Sequence, residues 1–466
     1  MEKIRAQHDS ALKEQADSVD NLVIPKQRNG DEYDAEQMSD EQKAIVYNAV
    51  DTVIKFLKND PSYKPMRATI MGSAGTGKSF IINTIISMVR TLTGSNDTVQ
   101  IAAPSGAAAF NVQGSTIHNL LGVRVTNPEK GLTDNTKSRL LEQLQRLLVL
   151  VIDERSMISS EVLAAAERNT RECIYRGQNS SEIWGGLPVV LLFGDNYQLM
   201  PVDKNGAING YDKRCCGAEQ HVTDKMTAAQ LFAYRGDWLF TEIMTDQVFF
   251  LTKNFRVRCE RFNKLLERVR VGHTTEEDAD KMMKLHHVFY RADKEFKQKI
   301  ENHKKTMWLF SNNNDVRRKN VDKLVEVSKN NNLPVARLKC WYDTKKTQGG
   351  KERNVYKSHF DQNGYISETD LCIDARVALR NWNILPSAGL YNGSIGTVIE
   401  IVYRDDPIGP NDKQHNHLPD YVVVDFPHLK LPPYIEPWDK LHPTVTSKIF
   451  TVCCLFHWHS DFLTEN

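Results

Sequence analysis

The stretch "MGSAGTGKSF", residues 71–80, decides how this chain is read. It contains Gly72-x-x-x-x-Gly77-Lys78-Ser79, a glycine-rich loop followed by a cation, a hydroxyl and an apolar helix start. The apolar "MRATIMG" before it predicts a short buried strand. The following "KSFIINTIISMVRTL" predicts a helix, with Ile81, Ile82, Ile85 and Val89 near helical spacing. Glycines let successive backbone N–H groups point into one concavity, and with the helix N-terminus that concavity holds phosphate oxygens. Gly72, Ser73, Ala74, Gly75, Thr76 and Gly77 form the expected cradle for nucleotide phosphates. Lys78 reaches the β- and γ-phosphates, and the Ser79 hydroxyl ligates Mg²⁺. Ordinary residue usage produces the pattern by accident in roughly 2% of chains this long, and the flanking strand and helix narrow that further.

Three more segments repeat the form of a buried strand with polar residues at its end. "VQIAAPSGAAAF" runs from Ile101 to Pro104 and then Ser105 and Gly106; "LLVLVIDERSM" ends in Asp153 and Glu154; "LPVVLLFGDNYQL" ends in Gly194, Asp195 and Gln198. Continuous apolar strands alternating with helices imply a parallel sheet covered on both faces, with its ligand at the carboxyl ends of the strands. All four polar clusters therefore converge on one crevice. There Asp153 is expected to hold Mg²⁺ through water and Glu154 to orient and deprotonate an attacking water, a pairing suited to metal-assisted hydrolysis. The alternative for both acids is a helix cap at a strand end. Gln198 either senses the γ-phosphate or closes a turn. Upstream, Ser39 and Gln42 in "MSDEQKAIVYNAV" have capping-box spacing, and Gln42 is also placed to read adenine.

At 466 residues the chain has room for two or three domains. Its 60 basic and 59 acidic side chains leave a net charge of +1, which argues against non-specific electrostatic coating of nucleic acid but not against a locally basic groove. No run of about 18 apolar residues occurs, so no membrane span is expected. The first thirty residues mix both charge signs and read neither as a secretory signal nor as a transit peptide. The cysteines are scattered, with adjacent pairs at Cys215–Cys216 and Cys453–Cys454 and no CxxC spacing, which suits a reduced intracellular compartment. His457 and His459 beside Cys453 and Cys454 fit no common zinc spacing.

The motif set resembles one helicase family. "LFGDNYQLMPV" looks like the third motif of superfamily-one helicases. "APSGAAAFNVQGSTIHNLL" is similar to a DNA-contacting segment, and "GLYNGSIGTV" (389–398) to the opening of a small β-barrel, of the Pif-one (petite integration frequency) helicases, relatives of RecD. The resemblance runs from about Met38 to about Phe426. It implies an α/β fold: a P-loop NTPase with two RecA-like parallel-sheet domains, the second incomplete, and a partial SH3-like β-barrel. The implied divisions are a tail at 1–37 and a first RecA-like ATPase domain at 38–247, with a small wedge insertion near 123–145. A second RecA-like domain follows at 248–388, then the barrel portion and an aberrant C-terminus at 389–466.

By the same resemblance the chain moves 5′ to 3′ on single-stranded DNA and opens duplex junctions as a monomer, inside the cell, in the nucleus or the mitochondrion. Gln42 would read adenine and Gln198 would couple hydrolysis to movement. Arg256 in "LTKNFRV" would reach the γ-phosphate from the second domain. DNA contacts are implied for Pro104, Ser105, Gly106, Phe110, Thr116 and His118, where small residues let phosphates approach backbone N–H groups and two rings offer stacking surfaces. Core packing is the alternative for Phe110, and a structural helix start for His118. Asn313 would contact the DNA backbone, with helix capping as its alternative.

In the second half, "DVRRKNVDKLVEV" predicts an amphipathic helix with Val316, Val321 and Leu324 inward, and 343–365 reads as a basic or solvated loop. The chain departs from the family pattern at Ser105, Met200 and Asp374. It also lacks the "TIHKSQG"-like and "YVALSR"-like segments that would grip DNA and supply a second arginine, a loss that costs phosphoryl transfer several orders of magnitude. The expected function is an ATP-dependent DNA helicase. The alternative is an ATP-binding, hydrolysis-deficient DNA-binding or regulatory form; a small-molecule kinase fits the Asp153–Glu154 pair poorly.

Overall fold

The computed structural model describes residues 38–174, 182–201, 227–291, 294–295, 307–339, 368–379, 389–403, 419, 421–427, 429 and 449–452. The tail 1–37, Cys215, Cys216, the loop 343–365, the loop 404–418 and the Cys453–His459 cluster lie outside these residues. The chain divides into two compact units, Met1–Lys284 and Leu285–Asn466.

In the first unit Ser39 caps helix α1 (Asp40–Leu57), whose Ile45, Val46, Ala49, Val50, Val53 and Leu57 face the core. Strand β1 (Met66–Gly72) feeds α2 (Lys78–Thr93), which stops at Gly94 in the left-handed region, φ +65°. Next come β2 (Val99–Ala103), α3 (Gly106–Asn111), β3 (Ser115–Thr116), α4 (Ile117–Leu120) and α5 (Asp134–Gln143). They are followed by β4 (Val149–Ile152), α6 (Ser160–Cys173), β5 (Val189–Gly194), α7 (Ala228–Trp238), β6 (Gln247–Leu251) and α8 (Glu260–Arg270), and α9 (Glu276–Arg291) begins in this unit.

The strands pair parallel in the order β3-β2-β4-β5-β1-β6. Strand alternation explains why β4 and β5 are apolar throughout. Val149, Val151, Val189, Leu191 and Phe193 enter the core under α1 and α2, whereas Leu150, Ile152, Val190 and Leu192 enter the core under α4 to α7. This is the P-loop α/β arrangement of a RecA-like domain.

One expectation is corrected here. The strand beginning near Val248 is expected in the second domain, but β6 pairs with β1 from Ala68↔Gln247 to Gly72↔Leu251 and forms the edge of the first sheet. Its apolar residues indicate a strand but not which sheet receives it.

In the second unit, α10 (Asn313–Asn331) is followed by an antiparallel pair, β7 (Ala336–Lys339) and β8 (Glu368–Leu371). A four-stranded antiparallel sheet, ordered β12-β11-β10-β9, is built from β9 (Arg376–Ala378), β10 (Ile395–Val402), β11 (Tyr421–Asp425) and β12 (Ile449–Val452). Leu390, Val398, Val422, Val424 and Phe426 form its small core; β10 and β11 are the short strands expected after Leu390, whereas β9, expected in the second RecA-like domain, pairs with β10 instead. Among the described residues the second unit has no parallel pairing, so the second RecA-like sheet is not part of what is described. The inward face expected on α10 is also corrected in part: Val316 and Val321 are exposed, and only Leu324 is half-buried.

Candidate functional site

The phosphate loop is shaped by two glycines that no other residue replaces without strain. Gly75 has φ +93° and Gly77 φ +85°. A Cβ on Gly75 would sit 2.6 Å from Asn254 Oδ1 and 2.7 Å from Arg256 Cβ, and one on Gly77 would strike Gln42 Nε2. Thr76 Oγ1 donates to the Ser73 carbonyl (2.9 Å) and closes the loop. Lys78 Nζ donates to the carbonyls of Gly72 (2.8 Å) and Ser73 (3.1 Å), so its ammonium lies under the loop at the end of β1. Burial draws the Lys78 pKa down, opposed by Glu154, Asp153 and Asp195. Ser79 stands exposed in the first turn of α2.

Asp153 and Glu154 follow β4 directly, and the Asp153 N–H donates to Ala102 O (2.9 Å) at the end of the neighbouring β2. Asp153 is buried, and its Oδ1 has no hydrogen-bond partner. A buried carboxylate oxygen left open near the glycine-rich loop suits a hard cation or a water bound to one. Glu154 sits in the left-handed region at φ +48°, ψ +46°, a costly conformation for a residue with a side chain. It turns the chain sharply off β4 into the short helix Arg155–Met157 and leaves the carboxylate half-buried in the crevice. At the end of β5 the Asp195 carbonyl accepts the Gln198 N–H (3.1 Å), so the turn reading of Gln198 is present in the geometry.

Gln42 completes the capping box, its Oε1 accepting from Ser39 N (3.1 Å), while its Nε2 donates to Thr76 O (3.1 Å). The side chain is buried, and its amide is tied to the phosphate loop rather than presented to solvent. Glu41, one residue earlier, binds the backbone N–H (3.0 Å) and hydroxyl (2.6 Å) of Thr252 just beyond β6. The segment after Thr252 then lies on the loop: Asn254 Nδ2 donates to Ala74 O (3.0 Å) and Phe255 N to Gly75 O (2.8 Å). Asn254 Oδ1 accepts from Arg256 N (2.9 Å) and Val257 N (3.1 Å). The Arg256 backbone therefore lies against the loop from within the first unit, with its side chain exposed. The expected route from the second domain is corrected for the same reason as β6, since the arginine follows the strand that joins the first sheet.

The residues expected to touch DNA cluster at the ends of β2 and β3. Ser105 caps α3 by accepting from Ala108 N (3.2 Å), and Thr116 caps α4 by accepting from Asn119 N (3.4 Å). Gly106 is buried, whereas Pro104, Phe110 and His118 are half-buried. Burial lowers the His118 pKa, which favours a neutral ring at neutral pH. The region expected to be a wedge is anchored: Arg168 on α6 donates to the carbonyls of Pro128 (3.1 Å), Glu129 (2.6 Å) and Lys130 (2.9 Å). In the second unit Asn313 is exposed in the first turn of α10, and the cap expected of it is supplied by Asn312, which accepts from Asp315 N (2.9 Å).

A profile of the PIF1-like helicases matches residues 37–280, more than half of the chain. The chain belongs to the PIF1-like helicase family. It is 29% identical over 336 residues to the ATP-dependent DNA helicase RRM3 of Saccharomyces cerevisiae, covering 71% of this chain and 39% of that protein. It is 35% identical over 137 residues to the ATP-dependent DNA helicase PIF1 of Emericella nidulans, covering 28% of this chain and 17% of that protein. The chain thus spans well under two thirds of these relatives. In fold it is similar to the crystal structure of Bacteroides Pif1 bound to ssDNA, with TM-score 0.52 and 20% identity over 88% of this chain and 73% of that one. The Candida albicans Pif1 structure matches with TM-score 0.50 and 22% identity over 84% and 74%.

Within this PIF1-like crevice the structure adds residues that motif reading passed over. Glu41 and Asn254 fix the segment bearing Arg256. Arg155 donates to Asn196 Oδ1 and lies 4.3 Å over the Phe240 ring, joining the acid pair to the turn after β5. Arg270 meets Asp195 from α8. Each is a long-range contact with no local sequence signature.

The acid pair also makes a pH prediction. Burial pushes the Asp153 carboxyl from 3.8 up to about 6, Glu154 adding to the rise while a backbone hydrogen bond and Lys78 oppose it. Between those values the folded chain holds a proton that the unfolded chain has released, so stability falls as pH rises through that window. The effect is at most about 3 kcal/mol. In metal- and nucleotide-free buffer the urea midpoint is expected to drop between about pH 4 and about pH 7. Asp153→Asn should flatten that drop; an equal drop in the variant excludes Asp153 as its source.

Proposed function

We propose that this chain is the motor portion of an ATP-dependent DNA helicase that couples ATP hydrolysis to 5′-to-3′ movement on single-stranded DNA and to duplex unwinding. The observation that carries the reading is the meeting of Lys78, the open Asp153 carboxylate, Glu154, the Gln198 turn and the Arg256 segment at the carboxyl ends of β1, β4, β5 and β6.

In this reading Gly72 to Gly77 hold phosphate oxygens with backbone N–H groups, and Lys78 leaves its two carbonyls for the β- and γ-phosphates. Ser79 and Asp153 would hold Mg²⁺, which when bound neutralises charge between those phosphates. Glu154 takes the proton from the attacking water. Gln198 registers the γ-phosphate from the end of β5, and Arg256 adds positive charge from the segment fixed by Asn254. Gln42 works through Thr76, holding the phosphate loop beside the adenine end. Pro104 to Phe110 with Thr116 to His118 carry the strand, Asn313 adds a backbone contact, and the segment 123–145, anchored by Arg168, meets the duplex junction as the chain works as a monomer.

The test is ATP hydrolysis by the purified chain with and without single-stranded DNA, with unwinding of 5′-tailed against 3′-tailed duplexes. We expect DNA to raise turnover at least about tenfold and only the 5′-tailed duplex to open. ATP binding without hydrolysis would leave a nucleotide-regulated DNA-binding protein. Unwinding of the 3′-tailed substrate alone would reverse the direction.

A further inference from the structure

Arg270, the last residue of α8, reaches the phosphate crevice from an element that no nucleotide motif includes. Its guanidinium donates to Asp195 Oδ1 and to Glu267 Oε2 (3.1 Å), and its face lies 4.6 Å over the Tyr197 ring. Its Nε is buried without a hydrogen-bond partner. Asp195 is 2% exposed, whereas Tyr197 is 61% exposed, so the arginine bridges a buried carboxylate and a ring on the solvent side of the same turn. That turn is held besides by Arg155, which donates to Asn196 Oδ1, and by two bonds to Asp195. The same Asp195 Oδ1 accepts from Tyr197 N (3.1 Å), and the Asp195 carbonyl accepts from Gln198 N (3.1 Å). The crevice position is supported from Lys78, whose charge is favoured by Asp195 and disfavoured by Arg270.

We propose that Arg270 is a positioning residue for hydrolysis: by gripping Asp195 and Tyr197 it fixes the turn that carries Gln198, and so sets where Gln198 meets the γ-phosphate. The assignment rests on the ATPase reading above. Ion pairing alone is a weak reason for such an arrangement, because the desolvation cost of a half-buried pair offsets most of its attraction. A planar, two-pronged cation stacked on an aromatic ring supplies geometry instead, and lysine cannot reproduce that grip. Because α8 leads into the end of the first unit, the grip also connects that end of the unit to the phosphate turn.

The test is a double-mutant cycle on the full chain with saturating single-stranded DNA. Arg270→Ala should lower kcat about 100-fold, the cost of a small misplacement of a reacting group. Its affinity for ADP, which has no γ-phosphate for Gln198 to meet, should change less than about threefold. In a Gln198→Ala background the same replacement should cost less than about threefold more, since the two act as one unit. Arg270→Lys should recover only part of kcat. The proposal is overturned if Arg270→Ala leaves kcat unchanged, if its cost is fully additive with Gln198→Ala, or if ADP affinity falls in parallel with turnover. It is equally overturned if only the melting temperature moves. A wild-type chain that hydrolyses no ATP removes the underlying reading and this proposal together; an active wild type with an indifferent Arg270→Ala removes only the proposal.

Discussion

Glu154→Gln is expected to lower DNA-stimulated ATP turnover by about 10²- to 10⁴-fold, the usual range for losing a general base, while ATP continues to bind. Glutamine keeps the size of the side chain and its hydrogen-bonding reach but cannot accept the water's proton. The left-handed backbone at Glu154 makes this a clean experiment. The strain at φ +48° is set by the turn off β4 and is shared by both side chains, so the fold is not what changes. Steady-state turnover and nucleotide titration on one preparation separate the two effects. Turnover within about fivefold of wild type would show that another group takes the proton, and the hydrolysis-deficient reading would gain if the wild type were equally slow.

Lys78→Ala is expected to weaken ATP binding by about 100-fold, or about 3 kcal/mol, the cost of deleting one member of a desolvated charge pair. In the nucleotide-free chain Lys78 holds the carbonyls of Gly72 and Ser73, and it is the cation that lowers the charge cost of Asp153. Its removal should therefore also raise the Asp153 carboxyl further above its ordinary range. Isothermal titration with ATP and ADP reads the first effect, and the pH dependence of stability reads the second. Retained affinity for both nucleotides would mean that the loop backbone alone binds the phosphates. This variant tests the nucleotide site, whereas Glu154→Gln tests what the site does with its occupant.

The contrast between Arg256 and Lys78 shows what kind of information each came from. Lys78, Ser79 and the glycines are legible because their motif is defined by spacing along one loop, where a strand, a turn and a helix follow one another between Met66 and Thr93. The capping box of Ser39 and Gln42 was legible for the same local reason and is present as expected. Arg256 is recognisable as a cation after a strand, but the sheet that strand joins is not, because strand pairing is a long-range choice. Gln42 shows the same limit. Its spacing gave the cap, and only packing revealed that the amide's other end holds Thr76.

By itself the sequence determined the phosphate loop, the acid pair at the end of β4, the apolar strands and the helix caps, because these depend on neighbours within a few residues and on the period of burial. Tertiary structure decided that β6 closes the first sheet, that Asn254 and Arg256 lie on the loop, that Glu154 adopts a left-handed turn and that Arg270 grips Asp195. Those outcomes depend on which distant surfaces meet. A residue such as Arg270 can satisfy its charge with any exposed carboxylate, so its partner is chosen only when the fold brings Asp195, 75 residues away, within reach.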